Sequence, residues 1–177
     1  MTLALEFAAT VRGGRTGRFT DLLATPEGFA AWAGRPADDA LRHRVVTLRW
    51  ATRSLFARVV GQPAGRPDSA HLPDPARALE IVNEAAARAP RAARLEWADE
   101  PVLTYVDTAS PDDRLLADLA TAVIEFLGGE ARADLRACLA PGCVRYFVKA
   151  HPRQEWCKPS CGNRARVSRH YRRAHEA

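Results

Sequence analysis

The first 137 residues contain no cysteine, and the opening segment, Met1 to Arg12, has no long apolar run and is interrupted by Glu6. The first absence excludes a body stapled by disulfides. The second predicts neither a signal peptide nor a transmembrane helix, and hence a soluble, cytoplasmic protein with no membrane partner. No self-similar period of roughly 20 to 50 residues runs along the chain, which argues against a solenoid. The body also lacks paired carboxylates, a Ser/His/Asp set or a histidine cluster. His43 falls in the middle of a helical pattern and His71 in a proline-rich loop, neither beside a group that would make it a base or a ligand. Gly13, Gly14 and Gly17, interleaved with Arg12, Arg15 and Arg18, lack the Gly-Lys-Ser/Thr ending of a phosphate-binding loop and read as a plain turn.

What is present is a chain of 177 residues, 47% hydrophobic and 27% charged. That is enough to bury a core in one domain, with or without a small appended module. The net charge of +5 is unevenly placed: from Arg132 onward there are 11 basic and 3 acidic residues, against 15 and 18 before it. A body of −3 therefore carries a tail of +8. A small basic module of this kind points to an anionic partner, with nucleic acid the commonest.

Helix signals dominate the body. Thr25-Pro26-Glu27 combines a hydroxyl cap, a first-turn proline and an acid at the positive end of the helix dipole, and Gly34 marks the stop. Leu41, Val45, Leu48, Thr52, Leu55 and Val59 hold one stripe of a long helix ended by Gly61 and Pro63. The Gly/Pro-rich stretch from Gly61 to Pro73 reads as a surface connection. Asp74-Pro75 caps a helix containing Leu79, Val82 and Ala86. Ser110-Pro111 opens another, with Leu115, Leu119, Ala122 and Phe126 as its buried stripe before Gly128 and Gly129. Between Arg94 and Asp107 the period changes to two, predicting a hairpin that turns near Asp99 to Pro101. Thr2 to Val11 is apolar but too short to assign by period. The expected fold is mainly α with a small β-hairpin: a helical N-terminal domain, residues 1–129, followed by a small C-terminal tetra-cysteine zinc finger, residues 130–177.

All four cysteines lie in the basic tail: Cys138-x4-Cys143, 13 intervening residues, then Cys157-x3-Cys161. Two close pairs joined by a short excursion suit a tetrathiolate site, with Pro141-Gly142 and Pro159 supplying the turns. Zn2+ accepts four thiolates in a tetrahedron and needs no redox chemistry, and four protein ligands leave no open position, so the zinc would be structural. An iron-sulfur cluster uses the same ligand type. Disulfides are disfavoured by the absent secretory signal, and a redox pair by the lack of a two-residue spacer. Tyr146 to Val148 is expected to form a strand with Gln154 to Trp156 returning antiparallel to it. His151 reads as a loop residue, since four thiols already fill the site.

A helix is expected from Pro159. On it Arg166, Arg169, Arg172 and Arg173 fall within about 120° of one another, with Val167, Tyr171 and Ala174 on the side expected to pack on the zinc core. Arginine's planar fork suits phosphate oxygens and guanine edges, so this face is the candidate nucleic-acid contact. Arg164 stands apart, close enough to Cys161 to hydrogen-bond within the module.

The segments Cys138-Leu-Ala-Pro-Gly-Cys143, Tyr146-Phe147 and Trp156-Cys157-Lys-Pro-Ser-Cys161-Gly162-Asn163-Arg164 resemble the CGNR zinc finger, named for its last four residues. Leu22-Leu23-Ala24-Thr25-Pro26-Glu27 is similar to an early segment of the ABATE domain that precedes such fingers. The resemblance implies a stress-linked bacterial transcription regulator that binds zinc and DNA, with zinc ligation carried onto Cys138, Cys143, Cys157 and Cys161. One departure stands out: this chain has Ala9-Thr10 where the resemblance leads one to expect Asn-Thr. The leading expectation is a DNA-binding regulator whose N-terminal domain senses a small molecule, forms a homodimer, or both. The alternatives are an RNA-binding module, with Tyr146, Phe147 and Trp156 stacking on bases, and a protein-interaction module with a structural zinc. An enzyme ranks last, because the metal site is closed.

Overall fold

Capping chemistry sets where the helices of the body begin. The computed structural model describes residues 2–14, 18–36, 38–61 and 65–175; Arg15, Gly17 and Pro63, named above in two turns, lie outside them. The unassigned opening segment is a short helix, α1 (Leu3–Ala8), followed by a small hairpin of β1 (Val11–Gly13) and β2 (Phe19–Asp21). Next come α2 (Pro26–Ala33) and the long α3 (Asp39–Val60). The Thr25 hydroxyl accepts from the Gly28 N–H at 3.1 Å, and the Asp38 carboxylate from the Leu41 N–H at 2.7 Å. Gly34 and Gly61 end the two helices in the left-handed region, at φ 68° and 60°, where a Cβ would be strained. A single 3-10 turn (Ser69–His71) leads to α4 (Pro75–Ala86), the hairpin β3 (Ala92–Trp97) and β4 (Pro101–Val106), and α5 (Pro111–Gly128). Asp74 and Ser110 cap α4 and α5 as their sequences require.

The core forms where α3 packs on α4 and α5, with α1 laid across α3 and α5. Leu41, Val45, Leu48, Thr52 and Leu55 of α3 are buried as the stripe predicts, whereas Val59, in the last turn, is exposed. On α5 the buried face is wider than expected and turned toward Leu116, Leu119, Ala120, Val123 and Phe126, because helices pack on it from more than one side. On α4 the buried residues are Ala78, Val82 and Ala85, whereas Leu79 is half-exposed; small side chains at the contact let α3 and α5 approach closely.

The tail begins with a 3-10 turn (Glu130–Asp134), then β5 (Leu135–Ala137), β6 (Tyr146–Val148) and α6 (Pro159–His175). Here one expectation is overturned. β6 pairs antiparallel with β5, in register Leu135 to Val148 and Ala137 to Tyr146, and Gln154–Trp156 is not a strand. Gln154 instead pins its own loop: its side-chain carbonyl accepts from the Ala150 N–H at 2.8 Å, and its amide donates to the Trp156 carbonyl at 3.1 Å. Successive residues of a strand face opposite ways. Tyr146 accordingly enters the body's core with Leu135, its ring edge-on to Phe56 at 5.5 Å, while Phe147 joins the cysteines.

Candidate metal centre and basic helix

Two turns bring the cysteines together. Cys138 follows β5 directly, and its N–H donates to the Arg145 carbonyl at 2.9 Å. Pro141-Gly142 then reverses the chain, Gly142 at φ 70°, and the Cys143 N–H closes the turn on the Ala140 carbonyl at 2.9 Å. Cys157 precedes α6, and Cys161 lies in its first turn. The four Sγ atoms lie within 4.8 Å of one another, with three edges of 3.9, 3.6 and 3.9 Å joining Cys143, Cys157 and Cys161. Thiolates ~2.3 Å from one tetrahedral ion sit about 3.8 Å apart, so the spacing fits a single Zn2+. It leaves no room for the irons and sulfides of a cluster. None of the four is disulfide-bonded.

The electrostatics suit a metal as well. Hydrogen bonds from the Cys143 and Cys157 thiols hold Cys138 as a thiolate, pushed down to about 2. The same bonds push Cys143 up to about 11, and push Cys157 up too, because each must keep its proton to donate it. A bound Zn2+ would displace those protons and stabilise every thiolate at once. Arg164 donates to the Cys161 sulfur at 3.4 Å, the local role its position suggested. Trp156 lies over Gly162, where a Cβ would come within 2.9 Å of the indole, so this glycine has no space for a side chain. His151 stands exposed in the loop after β6 and is not part of the cysteine group.

Arg166, Arg169, Arg172 and Arg173 are all exposed on α6. Arg166 also donates to the Asn163 side chain one turn back. The opposite side does not pack on the zinc core as expected: Val167 is 55% and Tyr171 62% exposed, and only Cys161, Gly162 and Ala165 are buried. The helix leaves the module after two turns and projects. Tyr146 and Phe147 are buried in the two cores and Trp156 covers Gly162, so the aromatics proposed for base stacking are spent on packing.

A second cluster escaped the sequence reading. Arg49 and Arg53 of α3, spaced one turn apart, are fully buried, and so is Asp68 in the Gly61–Pro73 connection expected at the surface. Arg49 forms a two-pronged pair with Asp21 at 2.5 and 2.6 Å. Arg53 pairs with Asp68 at 2.5 Å, donates to the carbonyl of Ala8, and reaches the carbonyl of Val144 at 2.5 Å. Arg66 holds Asp68 from the other side and also donates to Val144, at 2.7 Å. Burial pushes the Arg53 guanidinium down from its usual range, with Asp68 opposing. Thr10 donates to the Phe7 carbonyl and accepts from Arg49, so the Ala9-Thr10 pair borders this network. Val144 directly follows Cys143; two buried body arginines therefore grip the first cysteine turn. At Gly13 of β1 a Cβ would lie 2.0 Å from the Gly142 carbonyl, so the same turn presses on the N-terminal hairpin.

A helical body clasping a closed tetrathiolate turn defines a two-part zinc-finger protein. Residues 2–130 match the ABATE family, described as a putative stress-induced transcription regulator, and residues 135–174 match the CGNR zinc finger. The chain belongs to the ABATE family and carries a structural zinc site in its CGNR finger. A comparison with curated proteins gives no match. Among the described residues no helix is long and apolar enough to cross a membrane.

Proposed function

We propose that this chain is a DNA-binding transcriptional regulator in which Cys138, Cys143, Cys157 and Cys161 ligate Zn2+ and Arg166, Arg169, Arg172 and Arg173 contact duplex DNA. The functional division falls after Gly129, with residues 1–129 as the regulatory body and 130–177 as the DNA-reading module. One observation carries the reading: every ion pair among the described residues joins partners within the body, and none involves the tail. The α6 arginines therefore meet no carboxylate there. Cys161 fixes the base of α6 to the metal, so the charged face is presented from a rigid mount. Zinc is structural in this reading, without an open coordination position for catalysis. The body receives the signal, and an open groove of about 620 Å3 beside α1 and α5, where Leu3 and Phe126 meet Arg91, Asp118, Glu125 and Glu130, is the candidate place for a small ligand.

Fluorescence anisotropy of labelled duplex DNA with zinc-loaded protein tests this. Binding at low salt is expected to weaken with a log-log slope of about −0.9 per phosphate contacted. Replacing the four arginines by alanine flattens that slope while zinc content stays the same. Absence of binding at low salt, or binding that single-stranded RNA outcompetes, sinks the reading.

A further inference from the structure

The β3–β4 hairpin stands apart from everything else in the molecule. Of its twelve residues all but Thr104 are exposed. Its register places Ala93 opposite Tyr105, Leu95 opposite Leu103 and Trp97 opposite Pro101, so these six share one face, and every one of them is apolar or aromatic. Leu95, Trp97, Leu103 and Tyr105 are 66%, 72%, 60% and 60% exposed. The other face is mixed: Arg94, Glu96 and Thr104 alternate there with Ala92, Val102 and Val106, and Arg94 and Glu96 lie 3.8 Å apart.

We propose that this face is a self-association surface, on which two copies of the chain pack their Leu95, Trp97, Leu103 and Tyr105 side chains against each other about a two-fold axis. A lone two-stranded sheet is marginal in water and gains stability when its apolar face is covered. The four side chains expose on the order of 500 Å2 per copy, the size of the largest patch on a typical monomer, which is often functional. Two copies together remove up to about 1,000 Å2, the lower threshold for a specific contact. The chemistry selects an identical copy. The face carries no charge, so two of them meet without like-charge repulsion, whereas a nucleic acid or an acidic peptide would find no cation there. A two-fold contact of one patch with itself also closes, so association stops at the dimer. Trp97 and Tyr105 supply large, stiff rings of the kind that anchor interfaces.

The test is sedimentation equilibrium of the full zinc-loaded chain, without DNA, from about 1 to about 100 µM. The expected result is a monomer–dimer equilibrium that Leu95→Asp with Leu103→Asp weakens about 100-fold or more, because each burial of a carboxylate is opposed by desolvation. Trp97→Arg, beside the turn of the hairpin, gives a second variant with the same expected direction should the double variant misfold. Thr104→Lys, on the opposite face, leaves association unchanged. A wild-type chain that is monomeric throughout, or a dimer indifferent to both apolar-face variants, overturns the proposal. Because DNA is absent, its failure is separate from failure of the DNA-binding reading.

Discussion

In the body, Arg53 is sealed from water, shares Asp68 with Arg66, and donates to carbonyls of α1 and of the cysteine turn. On α6, Arg169, Arg172 and Arg173 stand in solvent, and among the described residues none meets a carboxylate. The same guanidinium group is thus used as a structural clamp in one region and as uncommitted charge in the other. What separates the two uses is the distribution of acids: the body holds 18 acidic residues, and the tail from Arg132 onward only 3. A buried arginine needs a partner because an unpaired buried charge is very costly. An exposed one needs none, and stays available to a phosphate.

The largest blow to this contrast comes from removing zinc. Tetrathiolate sites contribute on the order of 10 kcal/mol to folding of isolated fingers. Chelation, or Cys143→Ser, is expected to unfold the tail and also to lower the melting temperature of the body, because Val144 loses its place as acceptor for Arg53 and Arg66. Thermal melts of residue-matched samples with and without metal check this; a body transition that does not move would show the two regions to be independent. Next in size, Arg53→Met removes the donor to Ala8 and one of the two donors to Val144 and leaves Asp68 to Arg66 alone; it is expected to cost about 3 kcal/mol in urea unfolding, and adding Asp68→Asn, which leaves Arg66 as a buried cation without its acid, deepens the loss.

A smaller effect sharpens the body side alone. Burial raises the Asp21 carboxyl, but the hydrogen bond and charge of Arg49 outweigh it and hold the group below its ordinary 3.8. A depressed folded value means stability that is complete above the ordinary value and lost as pH falls through the folded one. Arg49→Leu is therefore expected to reduce the acid dependence of stability below about pH 4 relative to the parent chain. The smallest stability change belongs to the tail: Arg169→Ala with Arg172→Ala and Arg173→Ala leaves the melting temperature unmoved, since among the described residues none of the three has an ion-pair partner, and differential scanning calorimetry reads it directly.

Three helix starts were legible because a cap is local: Thr25, Asp74 and Ser110 bind donors two or three residues away. The cysteine centre was legible for the same reason, two short turns and one excursion. The buried arginines were not. Arg49 and Arg53 follow stripe residues Leu48 and Thr52 by one position, at the margin of the apolar face, and their acids lie 28 and 15 residues away. Only the folded chain pairs them. The hint available was that i, i+4 pair beside the stripe, together with an Arg-x-Asp inside a loop otherwise built of Gly and Pro. The choice of strand partner for β6 failed likewise, since two short segments were eligible and the packing of Leu135 into the body decided between them.

The alternation along β6 makes the two halves complementary parts and not beads on a string. Cleaved after Gly129, the body would keep an empty socket beside Phe56, and the tail would carry Leu135 and Tyr146 as the plug that fits it. An insertion in the linker would therefore be absorbed as slack, while a single-residue deletion within Tyr146–Val148 would turn the plug toward the metal and the metal's own Phe147 toward the socket.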